Sequence, residues 1–166
     1  HLHVVGQDGI ERWNGWFGLG PVRAVVGGDV DGDGRGEVFA GWNSEETGEG
    51  WVIAHDADGN ERWRQRVGKP VRGLELFQRE GDEAPTLVVR QAEYGPLGGV
   101  MAIDPTAATP QARELWRVHT AATVLTAELI RWEGEEKLAF GGLDSRIQIV
   151  DLRTGEVAAR TVGGHW

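Results

Sequence analysis

The stretch Asp29-Val30-Asp31-Gly32-Asp33-Gly34-Arg35-Gly36-Glu37 has residue types and spacing that point to chemistry. Three aspartates alternate through a glycine-rich turn, and a glutamate closes it. Alternation in a tight bend can turn several side-chain oxygens toward one point, and glycine permits the positive backbone angles such a bend needs. Carboxylates gathered this way repel one another, so the pattern calls for a hard cation among them. With only oxygen donors in the loop, the donor set suits calcium better than zinc or copper. An isolated Asp-Gly would read as a polar hairpin turn. The three spaced aspartates and Glu37 favour a metal loop instead.

The elements that must position this loop are strands. Val25-Val26 precedes it and Val38-Phe39 follows it, both with strand-like composition. The opening half also fits an EF-hand loop, but that motif needs a glutamate at its twelfth position, where this chain has Ala40.

Strand pairs recur along the chain. Leu2 to Val5 leads through Gln7-Asp8-Gly9 to Glu11-Arg12-Trp13. Trp51 to Ala54 leads through Asp58-Gly59-Asn60 to Glu61-Arg62-Trp63. Val100 to Asp104 leads to Glu114-Leu115-Trp116, and Ile147 to Asp151 leads through Thr154-Gly155 to Ala159. Each has the period-two apolar alternation of a hairpin. Between the hairpins, Pro21-Val22-Arg23-Ala24 returns as Pro70-Val71-Arg72-Gly73. The repeating unit is therefore four short strands in roughly fifty residues, the length of a propeller blade. It occupies 20–69, 70–119 and 120–166, while 1–19 supply the outer two strands of a further unit. The expected fold is all-β, a β-propeller of four-stranded blades that this chain alone does not close into a ring. A β-sandwich would suit the strand count, but the fixed period of turn and tryptophan favours the propeller. Pro105 and Pro110 predict an extended loop over 107–115.

The hairpins at 54–63 and 149–157 resemble quinoprotein (PQQ-like) propeller repeats, with their Asp-Gly or Thr-Gly turn and docking tryptophan. Val26-Gly27-Gly28 through Glu37 to Gly41 resembles an FG-GAP (VCBS-type) repeat. That resemblance implies calcium in the loop between a blade's first two strands. It implies side-chain ligation by Asp29, Asp31, Asp33 and Glu37, and a backbone carbonyl from Arg35. The corresponding turns, Arg79 to Glu83 and Glu133 to Glu136, are acidic but lack the alternating aspartates. They are expected to be solvated turns without calcium.

The chain has 166 residues, enough for one sizeable core. Its net charge of -9 argues against nucleic acid or an anionic membrane as partner. It has no cysteine, which excludes disulfides and thiolate metal sites. No apolar run approaches a membrane span, and His1-Leu2-His3 does not open a signal peptide. The strand-like start suggests a processed or partial version of a longer protein. Missing strands would come from another chain, from the parent protein or from a second copy.

Trp13, Trp63 and Trp116 are expected to wedge between blades with their indole N–H bonded to backbone. Trp16, Phe17, Trp42 and Trp132 leave that register. They fill gaps between blades or form a surface for sugars or protein. His1 and His3 could chelate a metal with the amino terminus, and otherwise are idle terminal histidines. His55 reads as a packed histidine. No nucleophile elbow or cysteine nucleophile occurs, and neither resemblance implies a quinone cofactor. The expected function is a calcium-stabilised module for protein or carbohydrate binding or assembly, extracellular or periplasmic. The alternative is a fragment of a secreted polysaccharide lyase-like or quinone-dependent enzyme.

Overall fold

A computed structural model describes residues 1–15, 20–92 and 97–162. Trp16, Phe17 and His165 lie outside them. The fold is all-β, as the alternation predicts. β1 (Leu2–Val5) and β2 (Glu11–Gly15) form a first, two-stranded antiparallel sheet. β3 (Val22–Gly28), β4 (Glu37–Asn43), β5 (Gly50–His55) and β6 (Glu61–Gly68) form the second. The third contains β7 (Val71–Phe77), β8 (Thr86–Gln91), β9 (Gly98–Ile103) and β10 (Glu114–Thr120). The fourth contains β11 (Val124–Trp132), β12 (Glu135–Gly142), β13 (Arg146–Val150) and β14 (Val157–Val162). Within each sheet, neighbours in sequence are antiparallel neighbours in space, and no sheet closes on itself among the described residues.

Period-two geometry explains how the third sheet serves two cores, since successive side chains leave a strand on opposite faces. From β8, Leu87 and Val89 join Phe39, Val52 and Ala54 of the second sheet. Val88, between them, joins Leu138, Phe140 and Val150 of the fourth. β9 divides in the same way: Met101 and Ile103 go to the first of these clusters, Val100 and Ala102 to the second. A sheet buried on both faces reads as a continuous apolar run, and Leu87-Val88-Val89 is one. A third cluster joins Leu2 to Ala40, Trp42 and Ile53.

The repeated tryptophans link each sheet to the next. Trp13 lies against Gly59, in the β5–β6 turn of the second sheet. Trp63 Nε1 donates to the Pro105 carbonyl at 3.0 Å, in the connection that follows β9. Trp116 Nε1 donates to the Leu152 carbonyl at 2.6 Å, and its ring lies against Gly155 in the β13–β14 turn. Gly59 and Gly155 both have positive φ, and a Cβ on either would stand 2.7 Å from the indole. Only glycine meets both demands. Trp13 departs from the expected hydrogen bond: its Nε1 has no partner among the described residues, and its ring packs 5.3 Å from that of His55. Trp42 is buried and stacks on Trp51 at 5.8 Å, so it fills the space between the first two sheets.

The extended loop expected over 107–115 is corrected by a one-turn helix, α1 (Pro110–Arg113). Thr109 caps it by accepting the Ala112 N–H, and Pro110 occupies the first turn, where its fixed φ suits a helix and its missing N–H costs nothing. The proline read as a breaker is a starter.

Candidate metal centre

Residues 29–36 form the bend between β3 and β4, closed by the Gly28–Glu37 rung of the ladder. Two forces shape it. Val30 is buried in the core shared by the second and third sheets, which anchors the loop from below. Above it, carboxylates collect backbone N–H groups. Asp29 accepts from Gly32 at 2.7 Å and from Gly34 at 2.9 Å, one on each oxygen. Asp31 accepts from Asp33 at 3.3 Å, and Asp33 from Arg35 at 2.7 Å. Glu37 reaches back to the Val30 N–H at 3.0 Å. Gly32 and Gly34, at φ +77° and +83°, take the positive angles that let the bend turn this tightly.

This folding brings together Asp29, Asp31 and Glu37. One carboxylate oxygen from each lies within 4.8 Å of the other two. Oxygens on opposite sides of a calcium ion, each about 2.4 Å from it, stand about 4.8 Å apart, so the three fit a common ion of that size. Glu37 is 3% exposed, whereas Asp29 and Asp31 face solvent and leave the mouth open to water ligands. Asp33 is not part of the cluster. The Arg35 side chain turns away to a bidentate pair with Asp58, at 2.6 and 3.1 Å. That pair fastens the bend to the β5–β6 turn and holds the guanidinium pKa above its ordinary value.

A residue unforeseen in the sequence completes the centre. Arg62, on β6, places Nη1 2.8 Å from Asp31 and 3.4 Å from Glu37. Its hydrogen bond holds the Asp31 carboxyl below the usual carboxylate range, and Asp31 in turn raises the guanidinium. The carboxylates thus have an internal cation at their edge. The only sequence trace of it is the Glu-Arg-Trp triplet, shared with residues 11–13, where Arg12 pairs with Asp8 instead.

Among the described residues the cluster lies in the second sheet alone, and the ladders show what takes its buried position in the other two four-stranded sheets. The Ala24–Gly41, Gly73–Arg90 and Thr126–Gly141 rungs follow the same irregularity in each ladder. Four residues before Gly41, Arg90 and Gly141 stand Glu37, Thr86 and Lys137. Sheet three replaces the buried carboxylate by a hydroxyl and sheet four by an ammonium. Lys137 Nζ lies 2.7 Å from Glu135 and 3.1 Å from Asp151, and these hold its pKa above the ordinary lysine value. The turns at 79–83 and 133–136 are not simply solvated. Arg79 reaches Asp151 at 3.5 Å, Arg153 Nε donates to Asp82 at 2.9 Å, and the Glu80 N–H donates to Glu136 at 3.1 Å. These contacts join the turns of the third sheet to those of the fourth.

Among the described residues no histidine belongs to this cluster. His3 Nδ1 lies 2.6 Å from Glu11, and His55 is buried, with its pKa lowered by that burial.

Comparison of the chain with protein families and with curated proteins returns no match.

Proposed function

We propose that the chain is a calcium-stabilised segment of a β-propeller that serves as a binding and assembly module. The observation that carries this reading is the convergence of Asp29, Asp31 and Glu37 on one point, in a bend whose backbone is organised by its own carboxylates. Calcium would be held by these three, with Asp33 and the Arg35 carbonyl as further ligands. Bound there, it would neutralise the cluster and tie β3 to β4. A two-stranded hairpin and three four-stranded antiparallel meanders in sequence, each giving a tryptophan to the next or receiving one, support the propeller architecture. Another chain or a second copy would supply the strands that complete a ring. A shallow, solvent-facing site of this kind fills at extracellular calcium levels, which favours an exported setting.

The test is a thermal melt in calcium against a melt in chelator. At a hundredfold excess over Kd the stabilisation is about 2.7 kcal/mol, or roughly 5–11 °C for a domain of this size. Asp31→Ala removes the difference. Superimposed melts of the unaltered chain would reject the reading.

A further inference from the structure

The first strand of each four-stranded sheet begins with the same defect. The ladder slips between Val22 and Ala24, between Val71 and Gly73, and between Val124 and Thr126. The residue left out of register is Arg23, Arg72 or Leu125. A bulge frees a side chain from the sheet and re-aims it, and bulges are concentrated beside functional sites. Here the three bulged residues line one cavity of about 580 Å³.

The sequence has 26 acidic residues against 17 lysines and arginines, yet no acidic residue is among the described residues lining this cavity. Arg12, Arg35 and Arg62 all sit on carboxylates. Arg23 and Arg72 are exposed, and neither has a carboxylate partner among the described residues. Beside them, Leu125 is 45% and Leu143 68% exposed. The floor is braced, because the Asn43 side chain accepts the Val71 N–H at 2.7 Å and donates to the Val71 carbonyl at 3.2 Å. That pair locks the second sheet to the third beneath the rim.

We propose that this rim of bulges binds an acidic peptide segment of a partner protein, with Arg23 and Arg72 taking its carboxylates and Leu125 and Leu143 its aliphatic side chains. Guanidinium forks suit carboxylates. Among the described residues that line the cavity none is aromatic, so they offer a sugar ring no stacking face. The proposal deepens the binding-module reading by naming the partner's chemistry, and it does not require the cation.

The experiment is fluorescence polarisation with a short labelled peptide of alternating glutamate and leucine, on samples melted in parallel with and without calcium. Glutamine-leucine peptide and polygalacturonate are the competing ligands. Arg23→Ala and Arg72→Ala should each weaken binding about tenfold, the worth of a lost charge-assisted hydrogen bond. Arg131→Ala, an exposed arginine elsewhere, should leave it unchanged. No binding of the acidic peptide overturns the inference. So does equal binding of the glutamine peptide, equal loss in Arg131→Ala, or arginine-dependent capture of polygalacturonate in preference to peptide. A chain that melts higher in calcium but ignores the peptide rejects this inference alone. One that binds the peptide but does not respond to calcium rejects the metal reading and leaves the rim intact.

Discussion

Trp116→Ala is the sharpest perturbation of the stacking that holds the sheets in sequence. The indole is 7% exposed, belongs to the core between the third and fourth sheets, and donates at 2.6 Å to the Leu152 carbonyl. Truncating a buried tryptophan to alanine costs about 3–5 kcal/mol. The cost here belongs in the upper half of that range, because the buried Leu152 carbonyl also loses its donor. For about 4 kcal/mol, the melting temperature of a chain this long falls by roughly 8–16 °C. Trp116→Phe separates the two contributions: it keeps most of the ring and loses the hydrogen bond, for about 1–2 kcal/mol. Trp13→Ala is the internal control. Its ring is only half-buried and its Nε1 has no partner among the described residues, so it should cost about half as much. Circular dichroism melts of the four proteins at one concentration give the ranking. If Trp116→Ala melts with the unaltered chain, or Trp13→Ala costs as much as Trp116→Ala, the tryptophans do not carry the inter-sheet packing.

Three further outcomes are expected. Arg62→Gln removes the internal cation from Asp31 and Glu37, so it lowers the melting temperature in chelator and enlarges the rise on adding calcium; an unchanged rise would show that Arg62 and the ion do not share the site. His55 has its pKa depressed by burial, so the unfolded chain takes up the proton first. Stability should therefore be full above about pH 6.5 and decline as pH falls toward the lower folded pKa; denaturant titrations across this window should lose that slope in His55→Gln. Gly155→Ala meets both a positive φ and the Trp116 ring, whereas Gly81→Ala, at φ +84°, has open space around its Cβ. The second should cost about 1 kcal/mol and the first clearly more, and a pair of melts that coincide would deny the docking contact.

The parts of the fold legible in the sequence are those set by neighbours along the chain. Alternation marks the strands because each strand carries its own period, and the tryptophan repeat marks the contacts between sheets because each indole meets a turn of fixed chemistry. The carboxylates of the bend were legible for the same reason. Arg62 was not, because it reaches the cluster through the register of β6 and not through the loop. Asp33 continues the alternation, but it accepts the Arg35 N–H and lies outside the cluster. Lys137 precedes Gly141 as Glu37 precedes Gly41, but its pairing with Asp151 comes from the fold and not from the repeat. Pro110 misled in the opposite sense, since a proline read without its threonine cap looks like a break. The bulges at Arg23, Arg72 and Leu125 are matters of register alone, although the repeated Pro-Val-Arg marked two of them.

The most direct measurement is a calorimetric titration of calcium into the chelator-stripped chain, repeated with Glu37→Gln. A single ion bound per chain, with binding lost when the buried carboxylate becomes an amide, is the predicted result. No binding to the unaltered chain, or the same isotherm for Glu37→Gln, would contradict a cation held by Asp29, Asp31 and Glu37.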